Sequence, residues 1–218
     1  MRTSVIVAGA RTPIGRLNGM LSGLSATDLG GLAIKAAVER SGITPDQVQY
    51  VIMGQVLQAG TGQGPARQAA IKGGLPMDVP SIVVNKVCLS GLNAIALADQ
   101  LIRVGEFDVI VAGGMESMTN APHLLMNSRT GFKLGDATLK DSMIFDGLFC
   151  SVDQMGMGEA TDENNTRYAI TRAAQDEFAY QSHQRAAKAQ SEGVFDQEIV
   201  PVELKDRKGN VTLFANDE

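Results

Sequence analysis

Asn85-Lys86-Val87-Cys88-Leu89-Ser90-Gly91, with the apolar run that follows it, is the stretch around which this chain is organised. Just upstream lies Ser81-Ile82-Val83-Val84, short, β-branched and apolar, which predicts a buried strand. Downstream, Leu92 to Val104 carries Ala, Leu and Ile on nearly every face, the pattern of a helix buried all round. Gly105 stands where a helix end wants a left-handed residue. Cys88 is therefore expected on the turn from a buried strand into a buried helix. Backbone N–H groups converge at such a turn and the helix dipole is positive there, which favours a thiolate and nearby negative charge. An unpaired cysteine is also commonly a small buried hydrophobe, so position alone leaves packing and nucleophile both open.

Working outward, Thr3 to Ala8 is apolar and β-rich and reads as the first strand, followed by a glycine-containing loop over Thr12 to Ser25. Ser25 or Thr27 can cap the next helix, whose expected apolar stripe is Leu29, Leu32, Ala33, Ala36 and Ala37, with Gly42 at its end. Thr44-Pro45 predicts a short turn, Tyr50 to Met53 a strand, Pro65 to Lys72 a helix stopped by Gly73-Gly74, and Asp108 to Ala112 another buried strand. Strands alternating with helices imply crossovers and a mostly parallel sheet. Ligand chemistry in such sheets gathers at the carboxyl ends of the strands, where Cys88 and Gly113-Gly114 fall. After Glu116 the character changes. Ser117 to Asp162 is irregular and holds methionines at 118, 126, 143, 155 and 157, which suit satellite packing or an adaptable ligand surface equally. Thr161 to Ala169 predicts a short helix. Thr171 to Glu192 predicts an amphipathic one, with Phe178, Ala179, Ser182, Ala186 and Ala189 on one side. Glu198 to Leu204 and Val211 to Phe214 read as two strands around a turn over Lys205 to Asn210. The resulting division is a core over residues 1–116 and a second domain over 117–218.

Composition bounds the function. A net charge of −5 argues against nucleic acid as the main partner, because a phosphate backbone calls for a basic surface. Two cysteines, Cys88 and Cys150, make no disulfide framework. Met1-Arg2 runs straight into the first expected strand, so no leader is expected, and no apolar run is read as membrane-spanning. A reduced, cytoplasmic compartment is the simplest expectation. No His/Cys/Asp cluster has metal-ligand spacing. Ala59-Gly60-Thr61-Gly62-Gln63-Gly64 lacks the spacing of a dinucleotide fingerprint and reads as a loop.

Asn85 to Ile95, followed by Val111-Ala112-Gly113-Gly114-Met115-Glu116-Ser117-Met118, closely resembles the thiolase family, in particular its acetyl-CoA acetyltransferases. Arg11-Thr12-Pro13-Ile14-Gly15, Met53-Gly54-Gln55-Val56 and Gly64-Pro65-Ala66-Arg67-Gln68 fit the same family, in order along the chain. The resemblance implies an α/β thiolase-like layered fold: an N-terminal mixed or parallel sheet with helices, plus an inserted α+β loop domain that covers the active site. It implies that Cys88 takes an acetyl group from acetyl-CoA and is then attacked by the carbanion of a second acetyl-CoA, or the reverse thiolysis of a 3-ketoacyl-CoA. A thiol that takes the acyl group first splits one hard condensation into two easier steps. The Cys88 N–H would contribute to an oxyanion hole. Met157, in Asp153-Gln154-Met155-Gly156-Met157-Gly158, would face the substrate, and Leu148 would line the pantetheine. Gly156 stands where the family's His-Met-Gly segment has its His, so acyl-chain preference stays open.

The family's base, a His in Gly-His-Pro, its second Cys in Cys-x-Gly and its Asn-Glu-Ala-Phe motif do not occur in these residues. His123 and His183 are the only histidines, and neither they nor Cys150 are expected to stand in. The expectation is an N-terminal half of a thiolase that is inactive alone, exposes core surface meant for its C-terminal half, and joins a homodimer or homotetramer in the complete enzyme. It would use coenzyme A thioesters as substrates without a further cofactor, in fatty acid metabolism, away from membranes and nucleic acid. The alternatives are a ketoacyl-synthase-like enzyme taking a carrier-protein thioester, and a non-catalytic assembly partner.

Overall fold

The fold is described from a computed structural model covering residues 2–218. Its centre is a three-stranded, wholly parallel sheet of β1 (Tyr50–Gly54), β2 (Ser81–Val84) and β3 (Ile110–Gly114), in the order β2-β1-β3. Parallel neighbours need crossovers, and helices supply them: α2 (Pro65–Lys72) between β1 and β2, and α3 (Ser90–Val104) between β2 and β3. Alternation along β1 sends Val51 and Met53 to one face and Ile52 to the other. The first face packs on α1 (Ala26–Ser41) and α2 through Ile34, Val38, Ala66, Ala69 and Ala70. The second packs on α3 through Ala94 and Ala98. The result is three layers with the best-buried residues along β1.

Local chemistry sets the helix ends as expected. Ser25 and Asp28 form a reciprocal capping box at the start of α1, and Gly42 closes it at φ 73°. The α2 helix begins at Pro65, and Gly105 caps α3 at φ 85°. The buried face of α1 differs from the expected stripe. Gly30 and Gly31 sit against Met115, Ala69 and Lys72, so two bare Cα positions let α1 approach α2 closely, and Ile34 and Val38 continue that face.

Three expectations fail for one physical reason, the lack of a covering partner. Thr3 to Ala8 joins no ladder among the described residues, and Val5, Ile6 and Val7 are 77, 84 and 67% exposed. Arg2 pairs with Asp108 and the Ser4 hydroxyl donates to Asp99, so the segment is tethered without being paired as a strand. The α3 helix is not buried all round: Ser90, Ala94 and Ala98 are buried and Leu97 and Leu101 partly so, while Leu92, Ile95 and Val104 face outward. β2 and β3 are half-buried rather than core strands. Val87–Val104 also reaches, by length and hydropathy alone, what a membrane-crossing helix needs, contrary to the reading of the bare sequence. By length and composition alone, a core helix of a soluble protein meets the same criterion.

The chain divides into two compact units. One comprises the residues through Pro122 together with Glu198–Glu218, and the other His123–Gln197. The division expected at 116/117 thus shifts, and the last segment belongs with the core. Hydrogen bonding explains this. Arg11 N–H donates to the Glu198 carbonyl at 2.9 Å and the Arg11 carbonyl accepts from Val200 N–H at 2.8 Å. Arg40 donates to the carbonyls of Glu198 and Ile199, and β8 (Val202–Lys205) pairs with β9 (Val211–Phe214). The second unit holds the short hairpins β4 (His123–Leu125) with β5 (Leu139–Asp141) and β6 (Phe149–Cys150) with β7 (Met155–Gly156). It also holds α4 (Met157–Arg167) and α5 (Arg172–Ser191). The α5 helix forms where periodicity places it, yet none of its residues is buried, Phe178 being 75% exposed.

Candidate functional site

Val84 ends β2, and Ser90 starts α3, so only five residues turn the chain from strand to helix. The turn is tight because Val87 adopts φ 50°. That left-handed conformation is rare for a β-branched residue, costs roughly 1–3 kcal/mol, and persists only where its surroundings impose it. Side chains impose it here. Val87 N–H donates to Asn85 Oδ1 at 2.9 Å. The Val87 carbonyl accepts from Ser90 Oγ at 2.6 Å and from Ser90 N–H at 3.0 Å. Ser90 Oγ in turn accepts from Lys86 N–H at 2.8 Å. Ser90 is 4% exposed, and its hydroxyl serves as both donor and acceptor inside the fold. Cys88 follows Val87 directly and is exposed, two residues ahead of the first turn of α3.

The central strand sets the height of this turn. A methyl group on Gly54 would lie 2.5 Å from both Gly91 N and the Ser90 carbonyl carbon. Only glycine lets the end of β1 approach the start of α3 so closely. Beyond Gly54 the chain is held by Glu116, whose carboxylate accepts from Val56 N–H at 2.8 Å and from Leu57 N–H at 3.2 Å. Burial raises the Glu116 pKa above the usual carboxylate range, against the lowering effect of those two N–H donors. The carboxyl ends of all three strands are thereby gathered beside the Cys88 turn: Val84 before it, Gly54 against α3, and Gly114 facing Gly91 across the Gly91 backbone.

A cleft of about 320 Å³ lies elsewhere in the same unit, lined by Thr12, Pro13, Ile14, Leu21, Leu29 and Glu116 among others, and Cys88 does not border it. Leu148 and Met157 belong to the second unit. Phe149 pairs with Gly156 across the β6–β7 hairpin, and Leu148 directly precedes β6 while Met157 directly follows β7. Leu148 is half-buried and Met157 is 41% exposed. Cys150 lies on the same hairpin, its sulfur within 3.3 Å of Asp153 Oδ2. His123 and His183 are both exposed, on β4 and α5. The sequence pointed to Cys88, but it did not reveal the parts played by Asn85, Ser90, Gly54 and Glu116. The available signal was a β-branched residue squeezed between Asn and Ser at a strand-to-helix turn.

The profile of the thiolase N-terminal domain matches residues 4–218. A probable acetyl-CoA acetyltransferase of Mycobacterium leprae is 57% identical over the whole chain, which covers 56% of that protein. An acetyl-CoA acetyltransferase of Cupriavidus necator is 52% identical over the whole chain and 56% of its own length. A probable acetyl-CoA acyltransferase of Staphylococcus epidermidis is 50% identical over the whole chain and 55% of its own length. The chain therefore spans about half the length of the curated relatives it matches. With a strand–turn–helix that presents an exposed cysteine, a parallel sheet beneath it, and this match along nearly every residue, the chain belongs to the thiolase family.

Proposed function

We propose that this chain is the part of an acetyl-CoA C-acetyltransferase that carries the acyl-accepting nucleophile, and that the nucleophile is Cys88. The observation that carries the reading is the exposed Cys88 thiol on a fixed turn at the head of α3, in a chain of this family. In the step assigned to it, Cys88 Sγ bonds to the acetyl carbonyl carbon, the carbon–sulfur bond to coenzyme A breaks, and the coenzyme leaves as the thiol with the proton Cys88 gave up. One thioester replaces another, so the step is close to thermoneutral and reversible, as a transferase run in both directions requires. Leu148 and Met157 would contact the acyl-pantetheine arm. Condensation also needs a base to form the carbanion, and these residues carry no Gly-His-Pro or Cys-x-Gly motif to supply one. The partner in this reading is the rest of the polypeptide, and two features support it: the outward apolar side chains of α3 and the unpaired Thr3 to Ala8 segment.

Complementation tests the proposal. The 218-residue chain is co-expressed with the C-terminal portion of the Cupriavidus necator relative, and the pair is assayed for coenzyme A-dependent cleavage of acetoacetyl-CoA. Cleavage by the pair and by neither part alone is the expected result. Activity with a carrier-protein thioester but not with acetoacetyl-CoA would replace this reading with that of a ketoacyl synthase. A stable pair inert toward both would leave only an assembly role.

A further inference from the structure

We propose that Asn85 and Ser90 are positioning residues for Cys88, acting through the backbone of Val87. The inference deepens the reading of Cys88 as acyl acceptor and rests on it for its importance to catalysis. Val87 is a β-branched residue at φ 50°, in a region it leaves unless held. Its N–H is taken by Asn85 Oδ1 and its carbonyl by Ser90 Oγ, at 2.9 and 2.6 Å, so side chains grip it from both ends. The two grips differ in kind. Asn85 is exposed and bonds Val87 from the strand side, whereas Ser90 is buried and bonds it from the helix side while also receiving Lys86 N–H. If either grip is lost, Val87 can turn back toward negative φ. The peptide joining Val87 to Cys88 then rotates and carries the thiol away from the head of α3, where the helix leaves backbone N–H groups without intrahelical partners. A turn built with glycine at this position would need no such grip, because glycine adopts positive φ freely.

The test reads the rate of Cys88 alkylation by iodoacetamide, site by site in peptide mass spectra, with Cys150 as internal reference. Asn85→Ala removes an exposed side chain, so the fold survives and the urea midpoint changes little. Ser90→Ala removes the buried grip. Each is expected to slow Cys88 by about fivefold, the scale of a helix-terminus contribution, and to leave Cys150 unchanged. Adding Val87→Gly to Asn85→Ala relieves the left-handed penalty and is expected to restore most of the lost rate, which no general loosening of the fold would do. Should Ser90→Ala fail to fold, the Asn85→Ala and Val87→Gly pair carries the test. Wild-type alkylation rates in Asn85→Ala, or no recovery in the double variant, would overturn the proposal. Acetylation by acetyl-CoA is followed in parallel. If the alkylation series behaves as expected while acetyl-CoA leaves wild-type Cys88 untouched, the acyl-acceptor reading fails and the positioning role stands.

Discussion

Gly54→Ala will lower the folding stability of this chain by about 3 kcal/mol, the upper part of the range for overpacking a well-filled core, and will slow the reaction of Cys88. The added methyl meets Gly91 N and the Ser90 carbonyl carbon at 2.5 Å and Ser90 Cβ at 2.8 Å. Two of those atoms are backbone, so no side chain can swing aside. Relief must come from moving α3 away from β1, which strains the packing of Ala94 and Ala98 on Ile52 and shifts the turn that carries Cys88. Gly91→Ala provides the contrast. A methyl there finds its nearest neighbour, Gly114 N, at 3.7 Å, an ordinary contact. Its position inside the first turn of α3 favours alanine over glycine by roughly 0.5–1 kcal/mol. Urea unfolding of the two variants should therefore move in opposite directions. Equal midpoints would mean that the close approach of β1 and α3 does not hold in solution.

Arg11→Ala is expected to cost about 1–2 kcal/mol, more than an exposed ion pair but less than a fully buried one. Arg11 bonds both oxygens of Asp217, at 2.7 and 3.0 Å, and Glu198 at 2.8 Å. The guanidinium and the Asp217 carboxylate keep 28 and 24% of their side-chain surface in water, which screens the charges and moderates the cost. The loss should be local. Glu198 to Glu218 would be released from the first unit and become sensitive to limited proteolysis. The effect also has a pH signature. The hydrogen bond from Arg11, opposed by burial and helped by Ile14 N–H, holds the Asp217 pKa below the usual carboxylate range. A depressed carboxylate contributes stability above its unfolded pKa and loses that contribution as pH falls through its folded pKa. The gap between wild type and Arg11→Ala should therefore be full at neutral pH and close below the ordinary carboxylate range. Burial raises Glu116, so its own linkage runs the other way, favouring the fold as pH falls. A gap that stays constant down to acid would refute the assignment to Asp217.

Much of the fold is written locally, and that part was legible. Proline at the start of α2, glycine after it, the Ser25 cap of α1 and the short apolar β1 each act within a few residues. The parallel order followed from strands separated by helices. What was not legible depends on distant neighbours. Thr3 to Ala8 has strand composition, but a strand exists only with a partner, and none of the described residues provides one. The apolar sequence of α3 predicted burial on all sides, and in this chain the helix buries one side against the sheet and leaves Leu92, Ile95 and Val104 exposed. The grip of Arg11 on Asp217 joins residues 206 positions apart, beyond the reach of any periodicity. At the site, Cys88 was found from its place at a strand-to-helix turn and from family likeness. The strained Val87 and its two side-chain holders were missed, because a backbone dihedral is not a property of composition.

The central claim is that Cys88 accepts an acyl group from a coenzyme A thioester. Intact-mass measurement after incubation with acetyl-CoA, beside the Cys88→Ala variant, tests it most directly. One acetyl group on the wild-type chain, mapped to Cys88 and absent from the variant, is the predicted result. A folded wild-type chain that stays unmodified even when paired with the C-terminal portion of a relative, or one acetylated equally in the Cys88→Ala variant, would contradict it.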